Sequence, residues 1–470
     1  MWGRLLRPAG LVAGALSLAS FARAAESVRA LEGVTSDRKL PEFRLSVGFE
    51  QHWEKADISR EFVQSAPDGT FDEVRELRYE AIRRELVVQA RVGLVQRLEF
   101  RLRAPIVLQA DSEIRFAEGV EGSSTVFGST NADDPAFANR FPITTVPQER
   151  SRAGFGDLGA GLFWSVTEDR PDRAFPTLTL GLNVTFPTGD PWDPADVQAL
   201  PDIEGSGGVG SGQTTFDLSL ALSKRSAWGA PAFDPYFELG VELPLANAEL
   251  EDLGYEPPLV GRVRAGSEVV IAEDERKGSY YGLDFGLAFR FIGSGRTRSQ
   301  LSDYLPDFDQ TRLGDGFAGR ADFANPANYA RFQDGLDVSC LSDPVTGEPL
   351  LPGVPCGEFT RVDEHFQMDG HIGFRIQPLR VFSFSAVATL GFQNDHFITG
   401  DSPGEDTDPA VVPNDVCGST PCTGRINSRN SRGQDERSRF HDPRYDAVGG
   451  RFIAKGILRV GFMATAVLRF

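Results

Sequence analysis

The strongest constraint on this chain is the alternation of apolar and polar residues in its final segment, ILRVGFMATAVLRF. The even positions carry apolar side chains: Leu458, Val460, Phe462, Ala464, Ala466, Leu468 and Phe470. The odd positions include Arg459, Gly461, Thr465 and Arg469. Successive side chains of a β-strand point to opposite sides, so a period of two predicts a strand with one apolar face.

The same alternation recurs in LEFRLRAPIVL, PTLTLGLNVTF, FELGVELPL and YGLDFGLAFRF. A helix would need apolar residues three and four positions apart, which these segments lack. The pattern therefore predicts an all-β chain of about twelve strands. They span 43–53, 79–94, 98–108, 156–166, 176–186, 214–223, 235–245, 258–271, 279–291, 366–376, 381–392 and 457–470.

The connections between these strands alternate between short and long. VQR and QPLR are short turns, whereas the segments of about 109–155, 292–365 and 393–456 are long and most are rich in Gly, Pro, Asp and Asn. An even number of strands with this plan is typical of a transmembrane antiparallel up-and-down β-barrel, with short periplasmic turns and long external loops. We therefore expect the chain to lie in the outer membrane of a Gram-negative bacterium.

A secreted β-sandwich would also alternate, with its apolar faces turned inward. Each apolar face here is nearly free of charge over about ten residues, which is the length that a tilted membrane strand needs. The opposite register of LEFRLRAPIVL would place Arg101 and Arg103 in lipid, at a cost of about 2–4 kcal/mol each near the midplane. The pattern therefore favours a barrel, closed because an open sheet edge in lipid leaves backbone groups unpaired.

The N-terminus has the layout of a secretory signal peptide. Arg4 and Arg7 precede an apolar run, and Ala22-Arg23-Ala24 forms an A-x-A cleavage motif. A single membrane anchor is the alternative, but the apolar run is short and the cleavage motif argues against it. We expect residues 1–24 to be the signal peptide, 25–41 a short periplasmic segment and 42–470 the barrel.

The cysteines fall in two of the predicted external loops. They are Cys340, Cys356, Cys417 and Cys422. An even number in an exported chain indicates disulfides, and four cysteines allow three pairings. Nearness in sequence favours the first with the second and the third with the fourth. A metal site is the rival, but no ligand spacing supports one, so no cofactor is expected.

Charged residues on the inner faces are the candidate functional groups. They are Glu99, Arg101, Arg103, Asp217, Glu238, Glu242, Asp284, Arg290, Asp369, His371, Arg375 and Arg459. They could form a polar path that selects solutes by charge, or a ladder of ion pairs that braces the wall. Their mixed signs favour bracing for most of them. The net charge of -19 argues against a nucleic-acid partner, because phosphate binding needs Lys and Arg.

His371 has a carboxylate, Asp369, two positions away on the same predicted face. Some barrel enzymes are hydrolases that use His with Ser or Asp, which requires a nucleophile or water held against the base. No G-x-S-x-G motif is present, and a lumenal His with a carboxylate partner is more often structural. We therefore predict that the protein is not an enzyme.

Three segments resemble a known family: FGDLGAGLFW, PTLTLGLNVTFPTGD and GSGQTTFDLSLALSK. The matching features are Gly156-Asp157 before a strand, the PTGD of 187–190 after one, and a Gly-rich loop leading into Asp217. The chain resembles the outer-membrane proteins associated with the meta-pathway of phenol degradation, which are loosely akin to aromatic and fatty-acid uptake channels. That resemblance implies transport. Residues 25–41 are too few for the N-terminal hatch of fatty-acid channels, so a gate is expected from the loop at 292–365 or 393–456.

The final strand also resembles the assembly signal of outer-membrane barrels, which end on a terminal aromatic read by the barrel-assembly machinery. The matching residues are Phe462, Ala466, Leu468 and Phe470. The leading hypothesis is an outer-membrane channel for small solutes, aromatic or apolar ones among them, with membrane lipid, the assembly machinery and the solute as partners. The alternatives are a non-transporting surface barrel that binds partners through its loops and, third, a barrel hydrolase.

Overall fold

The computed structural model describes most of the predicted barrel and part of its loops. The described residues are 25, 28, 30–31, 41–62, 72–95, 97–120, 124–126, 146–169, 175–192, 208–226, 232–252, 254–274, 277–305, 359–404, 416–417, 420–421, 432, 438, 440–441, 445–446 and 448–470. The signal peptide of 1–24, Cys340, Cys356, Cys422 and the side chain of Cys417 lie outside them, so the cleavage and disulfide predictions stay predictions. No helix in the described part is long and apolar enough to cross a membrane.

Twelve antiparallel strands form the wall. They are β1 (Phe43–Phe62), β2 (Asp72–Gly93), β3 (Leu98–Phe116), β5 (Leu158–Thr167), β6 (Thr177–Phe186), β7 (Gln213–Ser223), β8 (Ala232–Ala246), β9 (Val260–Asp274), β10 (Ser279–Ile292), β13 (His365–Leu379), β14 (Phe382–Gln393) and β18 (Phe452–Arg469). Each pairs with its neighbour in this order, and β1 pairs with β18, so the ring is closed. The predicted twelve-stranded, up-and-down barrel is confirmed.

Shorter elements lie in the connections. They are β4 (Gln148–Phe155), β11 (Gly295–Thr297), β12 (Thr360–Val362), β15 (His396–Phe397), β16 (Val416–Cys417), β17 (Thr420–Pro421) and the helix α1 (Ala248–Asp252). The strands among them lie in segments predicted to be loops, 109–155, 292–365 and 393–456. β4 has eight residues without apolar alternation and the others have two or three, and β4 and β15 join the main sheet only through β3 and β18.

Several wall strands are longer than predicted, with the largest differences in β1, β2 and β3. β1 continues to Phe62 rather than ending near position 53, and β2 begins at Asp72 rather than 79. The outward residues of β1 change from apolar to polar at Gln51, Lys55 and Asp57, so the lipid-facing pattern stops where the hydrogen-bonded ladder continues. The prediction therefore found the lipid-facing part of each strand and missed the extension beyond it.

Strand alternation places apolar side chains outward and polar ones inward. Leu102, Phe285 and Ile372 are exposed on the outside of the isolated chain, whereas Arg101 and Asp284 lie on the inner face. We call the end of the barrel at the 94–97 connection the short-turn end, and the opposite end the long-loop end.

The main apolar core lies inside the long-loop end. It is formed by the inward-facing residues Ala56, Ile58, Leu77, Ile114, Phe452, Ala454 and Ile457, together with Val126, Leu301, Tyr304, Leu305, Ile398 and Tyr445 from the connections. Above the band of outward apolar residues, the barrel is therefore filled by its own loops.

The ring is sealed where the chain ends. The backbone N–H of Phe470 donates to the carbonyl of Phe43 at 2.9 Å, and the N–H of Phe43 donates back at 3.3 Å. Their rings lie 5.7 Å apart between centroids. Phe462, Leu468 and Phe470 are exposed on the outer face, on the same side as Ala466. Their role as an assembly signal stays a prediction.

Candidate functional site

The inner wall carries a cluster of one arginine and three carboxylates on β7, β8 and β9. Arg262 donates to Asp217 at 3.1 Å, to Glu238 at 3.2 Å and to Glu242 at 3.0 Å. Gly240 lies beneath this guanidinium, and a Cβ there would come within 2.9 Å of Nη2 of Arg262. The cluster ties three neighbouring strands together across the polar face.

Two further groups of the predicted inner residues form ion pairs. Arg290 lies 3.2 Å from Glu242, so β10 is joined to the Arg262 cluster. Arg375 donates to Glu268 at 2.8 Å. These two pairs support the bracing interpretation of the inner charges.

A second network lies on β2 and β3. Glu99 is fully buried between Arg91, at 2.7 Å, and Arg101. Arg101 also stacks over the ring of Phe163, 3.5 Å from its centroid. Arg103 is farther along the strand and lies 3.1 Å from Glu85.

His371 on β13 is held by two polar groups, one on the neighbouring strand β10 and one on β8. Its Nε2 lies 3.3 Å from Asp284 and 3.1 Å from the hydroxyl of Tyr236, which also donates to Asp284 at 3.0 Å. The predicted neighbour Asp369 instead accepts a hydrogen bond from Gln367. The pairing differs from the prediction because His371 lies directly opposite Gly286, which has no side chain. The imidazole lies over this glycine and reaches Asp284 on the diagonal.

No serine or cysteine is among the described hydrogen-bond partners of His371. The described residues also contain no group of three or more His, Cys, Asp or Glu side chains that could hold a metal ion. The geometry around His371 is that of a structural hydrogen-bonded triad in the wall.

The N-terminal segment enters the short-turn end of the lumen. The N–H of Ala25 donates to Ser223 Oγ at 2.8 Å, and that of Leu31 donates to Glu99 at 2.7 Å. Val28 packs in one buried cluster with Ala25, Ala221 and Tyr236. The sequence predicts that 25–41 is too short for the hatch of fatty-acid channels, and its described residues nonetheless contact both β7 and β3.

This insertion was not predicted from the sequence. The groups that receive the segment include Ser165 and Ser223, which are small inward residues at strand ends. They were not among the predicted lumenal residues, because only charged positions were selected. An inward serine near a strand end is the signal that could have found them.

The segment 298–305, which follows β11, folds into the long-loop end. Asp303 accepts hydrogen bonds from Arg152 at 2.7 and 3.0 Å, from Arg298 at 2.9 Å and from Trp192 Nε1 at 2.7 Å. Burial alone would raise the pKa of the Asp303 carboxyl, but Arg298 and Arg152 hold it well below its usual range. The segment is therefore anchored by a charged group with several donors, within the predicted loop 292–365.

The same segment reaches the middle of the lumen. The hydroxyl of Tyr304 donates to Ser112 on β3 at 2.8 Å, and Gln300 donates to Glu54 on β1 at 3.1 Å. Leu301 and Leu305 are fully buried in the long-loop core. Segment 298–305 thus forms a roof over the central lumen.

A cavity of about 560 Å³ lies beneath this roof. It extends between β2–β3 and β10–β13, and β1, β14 and β18 contribute to its lining. We call it the central chamber. Three of the predicted inner residues line it, Arg290, Asp369 and Arg459. Arg83, Arg298 and Tyr79 line it as well and were not predicted.

No protein-family model matches the chain, and no curated protein matches it. Among solved structures, it is similar to an outer membrane channel from Pseudomonas putida F1, at 8% identity over 95% of this chain and 99% of that one, with a TM-score of 0.39. A FadL homologue from Pseudomonas aeruginosa has 8% identity over 91% of this chain and 90% of its own, with a TM-score of 0.32. OmpT, an outer membrane protein of Vibrio cholerae, has 6% identity over 90% and 98%, with a TM-score of 0.23. Identities and TM-scores this low give no information about the role of the barrel.

Proposed function

We propose that the protein is an outer-membrane channel for the passive passage of small solutes, aromatic or apolar ones among them. The observation that carries the proposal is the central chamber, a polar cavity of about 560 Å³ inside a closed ring whose outer face is apolar. Cavities of 300–1,000 Å³ hold small-molecule ligands. Strands that expose apolar side chains outward can cross lipid only as a closed barrel.

The resemblance to proteins of phenol degradation supports aromatic solutes as the cargo. The outward apolar band and the terminal aromatic support the outer membrane of a Gram-negative bacterium as the location. The same final strand supports the barrel-assembly machinery as a partner.

Conductance in planar lipid bilayers tests the proposal. The purified full chain should give steady single-channel steps in potassium chloride. The steps should be small, because the segment that includes Val28 and segment 298–305 enter the two ends. Complete silence in correctly folded, heat-modifiable protein would overturn the channel function.

A non-transporting surface barrel is the second candidate, and the occupied lumen favours it. Ion pairs join the inner faces of neighbouring strands, the segment that includes Val28 fills one end and the segment that includes Leu301 fills the other. In this alternative the loops bind a partner and the lumen stays closed. A silent barrel whose lumen remains impermeable after loosening of both inserted segments would support it.

A further inference from the structure

We propose that the central chamber is a binding site for small organic anions, a carboxylate carried on a compact apolar or aromatic body. The inference rests on the proposed function, because it specifies the class of solute that the channel would hold. Four arginines and two carboxylates face the chamber. They are Arg83, Arg290, Arg298, Arg459, Glu54 and Asp369. Asp111 borders the chamber, but it pairs with Ile82 and points to the outer side of the wall.

The arginine side chains of the chamber are more exposed to solvent than the carboxylates that pair with them. Arg83 is 41% exposed whereas its partner Glu85 is 8% exposed. Arg298 is 41% exposed whereas its partner Asp303 is 6% exposed. Arg290 with Glu242 and Arg459 with Glu54 differ in the same direction by smaller amounts. The guanidinium groups therefore stand in front of the carboxylates that pair with them, and the wall presents positive charge to a solute.

The carboxylates of the lining are already engaged. Glu54 accepts a hydrogen bond from Gln300 and lies 3.5 Å from Arg459, and Asp369 accepts one from Gln367. A cation entering the chamber would have to compete with these partners. An anion would instead meet arginines, each of which carries five N–H donors in a planar fork suited to a carboxylate.

The remaining lining suits a compact apolar body. Tyr79, Ala81 and Ala110 lie on β2 and β3, across the lumen from Arg290 on β10. A ring placed against this side could direct a carboxylate toward the arginines. Arg83 lies beside these residues and pairs with Ala110, so the chamber combines a small apolar patch with arginines next to it and across the lumen. Ligand pockets commonly combine apolar surface with a few polar groups.

Binding of three probes of similar size and different charge tests the inference. Benzoate, benzyl alcohol and benzylammonium are titrated into the full chain in detergent by calorimetry, with empty micelles as the blank. Benzoate should bind saturably at one site, and the neutral and cationic probes should bind at least about tenfold more weakly, which corresponds to about 1.4 kcal/mol. Equal binding of benzyl alcohol, preference for benzylammonium, or no benzoate binding would overturn the inference.

Two matched substitutions locate the site. Arg459→Gln removes a chamber arginine that pairs β18 with Glu54 of β1, and it should weaken benzoate binding several-fold. Arg451→Gln removes a similar pair, at 2.8 Å, between the residue directly before β18 and Glu61 of β1; it lies outside the chamber lining and should leave binding unchanged. Equal losses in both variants would contradict a site in the chamber. If Arg459→Gln does not fold, Arg83→Gln gives the same test from β2.

Conductance of the same preparation separates this inference from the proposed function. Ionic current without benzoate binding would overturn the anion site and leave the channel standing. Benzoate binding without current would overturn the channel and leave the chamber as a binding site in a closed barrel.

Discussion

At the scale of single residues, the inner wall depends on a few arginines that each serve several carboxylates. Arg262 compensates Asp217, Glu238 and Glu242, and all four side chains are only partly accessible. A partly buried carboxylate that loses its arginine partner still bears the free-energy cost of desolvation, but no ion pair offsets that cost. We therefore regard this arginine as the central brace of β7, β8 and β9.

Arg262→Gln should lower the free energy of unfolding by about 1–3 kcal/mol, the typical cost of leaving buried polar groups unsatisfied. Urea unfolding in detergent micelles measures it. Part of the loss should return in 1 M salt, where the Debye length is only about 3 Å. Arg78→Gln is the control, since Arg78 is more exposed and lies 3.9 Å from Asp57, and it should change stability by less than about 0.5 kcal/mol. If both variants lowered the free energy of unfolding equally, the Arg262 cluster would have no special role in stabilising β7, β8 and β9.

A buried histidine beyond the end of β14 predicts sensitivity to acid. His396 donates from Nδ1 to the carbonyl of Asn394 at 2.9 Å and stacks on His365, with 4.1 Å between ring centroids. Burial lowers the pKa of His396 below its ordinary 6.5. The packed form therefore has its full stability above pH 6.5, and it loses stability as the pH falls, because the loosened form takes up the proton more readily.

Hydrogen exchange of residues 396–404 measures this effect. Exchange that is corrected for its intrinsic pH dependence should be faster at pH 5 than at pH 7.5. His396→Phe keeps an aromatic ring without a titrating group and should weaken the dependence. Unchanged protection at pH 5 would contradict the prediction.

At the scale of elements, the strands could be read from the sequence and the inserted segments could not. Contact with lipid forces a period of two on residues such as Phe285, Leu287 and Phe289, and that period is a local property. Segment 298–305 is held instead by Asp303 and Arg152, which are 151 positions apart. The partner of His371 likewise depends on how neighbouring strands are staggered, so the sequence indicated its inward face but not its contact with Asp284.

The N-terminal segment makes the clearest prediction at this scale. Val28→Asp would bury an unpaired carboxylate among Ala25, Ala221 and Tyr236, which is costly enough to favour release of the segment. Single-channel conductance should rise, and hydrogen exchange of 25–31 should accelerate. Val28→Ala keeps the site apolar and should change both much less. Faster exchange with unchanged conductance would show that the segment does not obstruct the ion path.

At the scale of the whole molecule, stability and assembly make different demands on the final strand. β18 pairs with both β14 and β1, so it carries the last hydrogen bonds that close the ring. Phe470 itself is 73% exposed and touches little beyond Phe43. A side chain this exposed contributes little to packing within the folded chain, so the proposed recognition during assembly can be tested apart from stability.

Phe470→Ser should therefore separate the two demands. The folded, heat-modifiable form recovered from outer membranes should fall several-fold, whereas barrel refolded into detergent should unfold at nearly the same urea concentration as the unchanged protein, within about 0.5 kcal/mol. Phe470→Tyr keeps the aromatic ring and should restore most of the yield in membranes. A loss of stability in detergent as large as the loss of yield would assign Phe470 to ring closure through Phe43, and the terminal aromatic would then act by packing rather than as a signal.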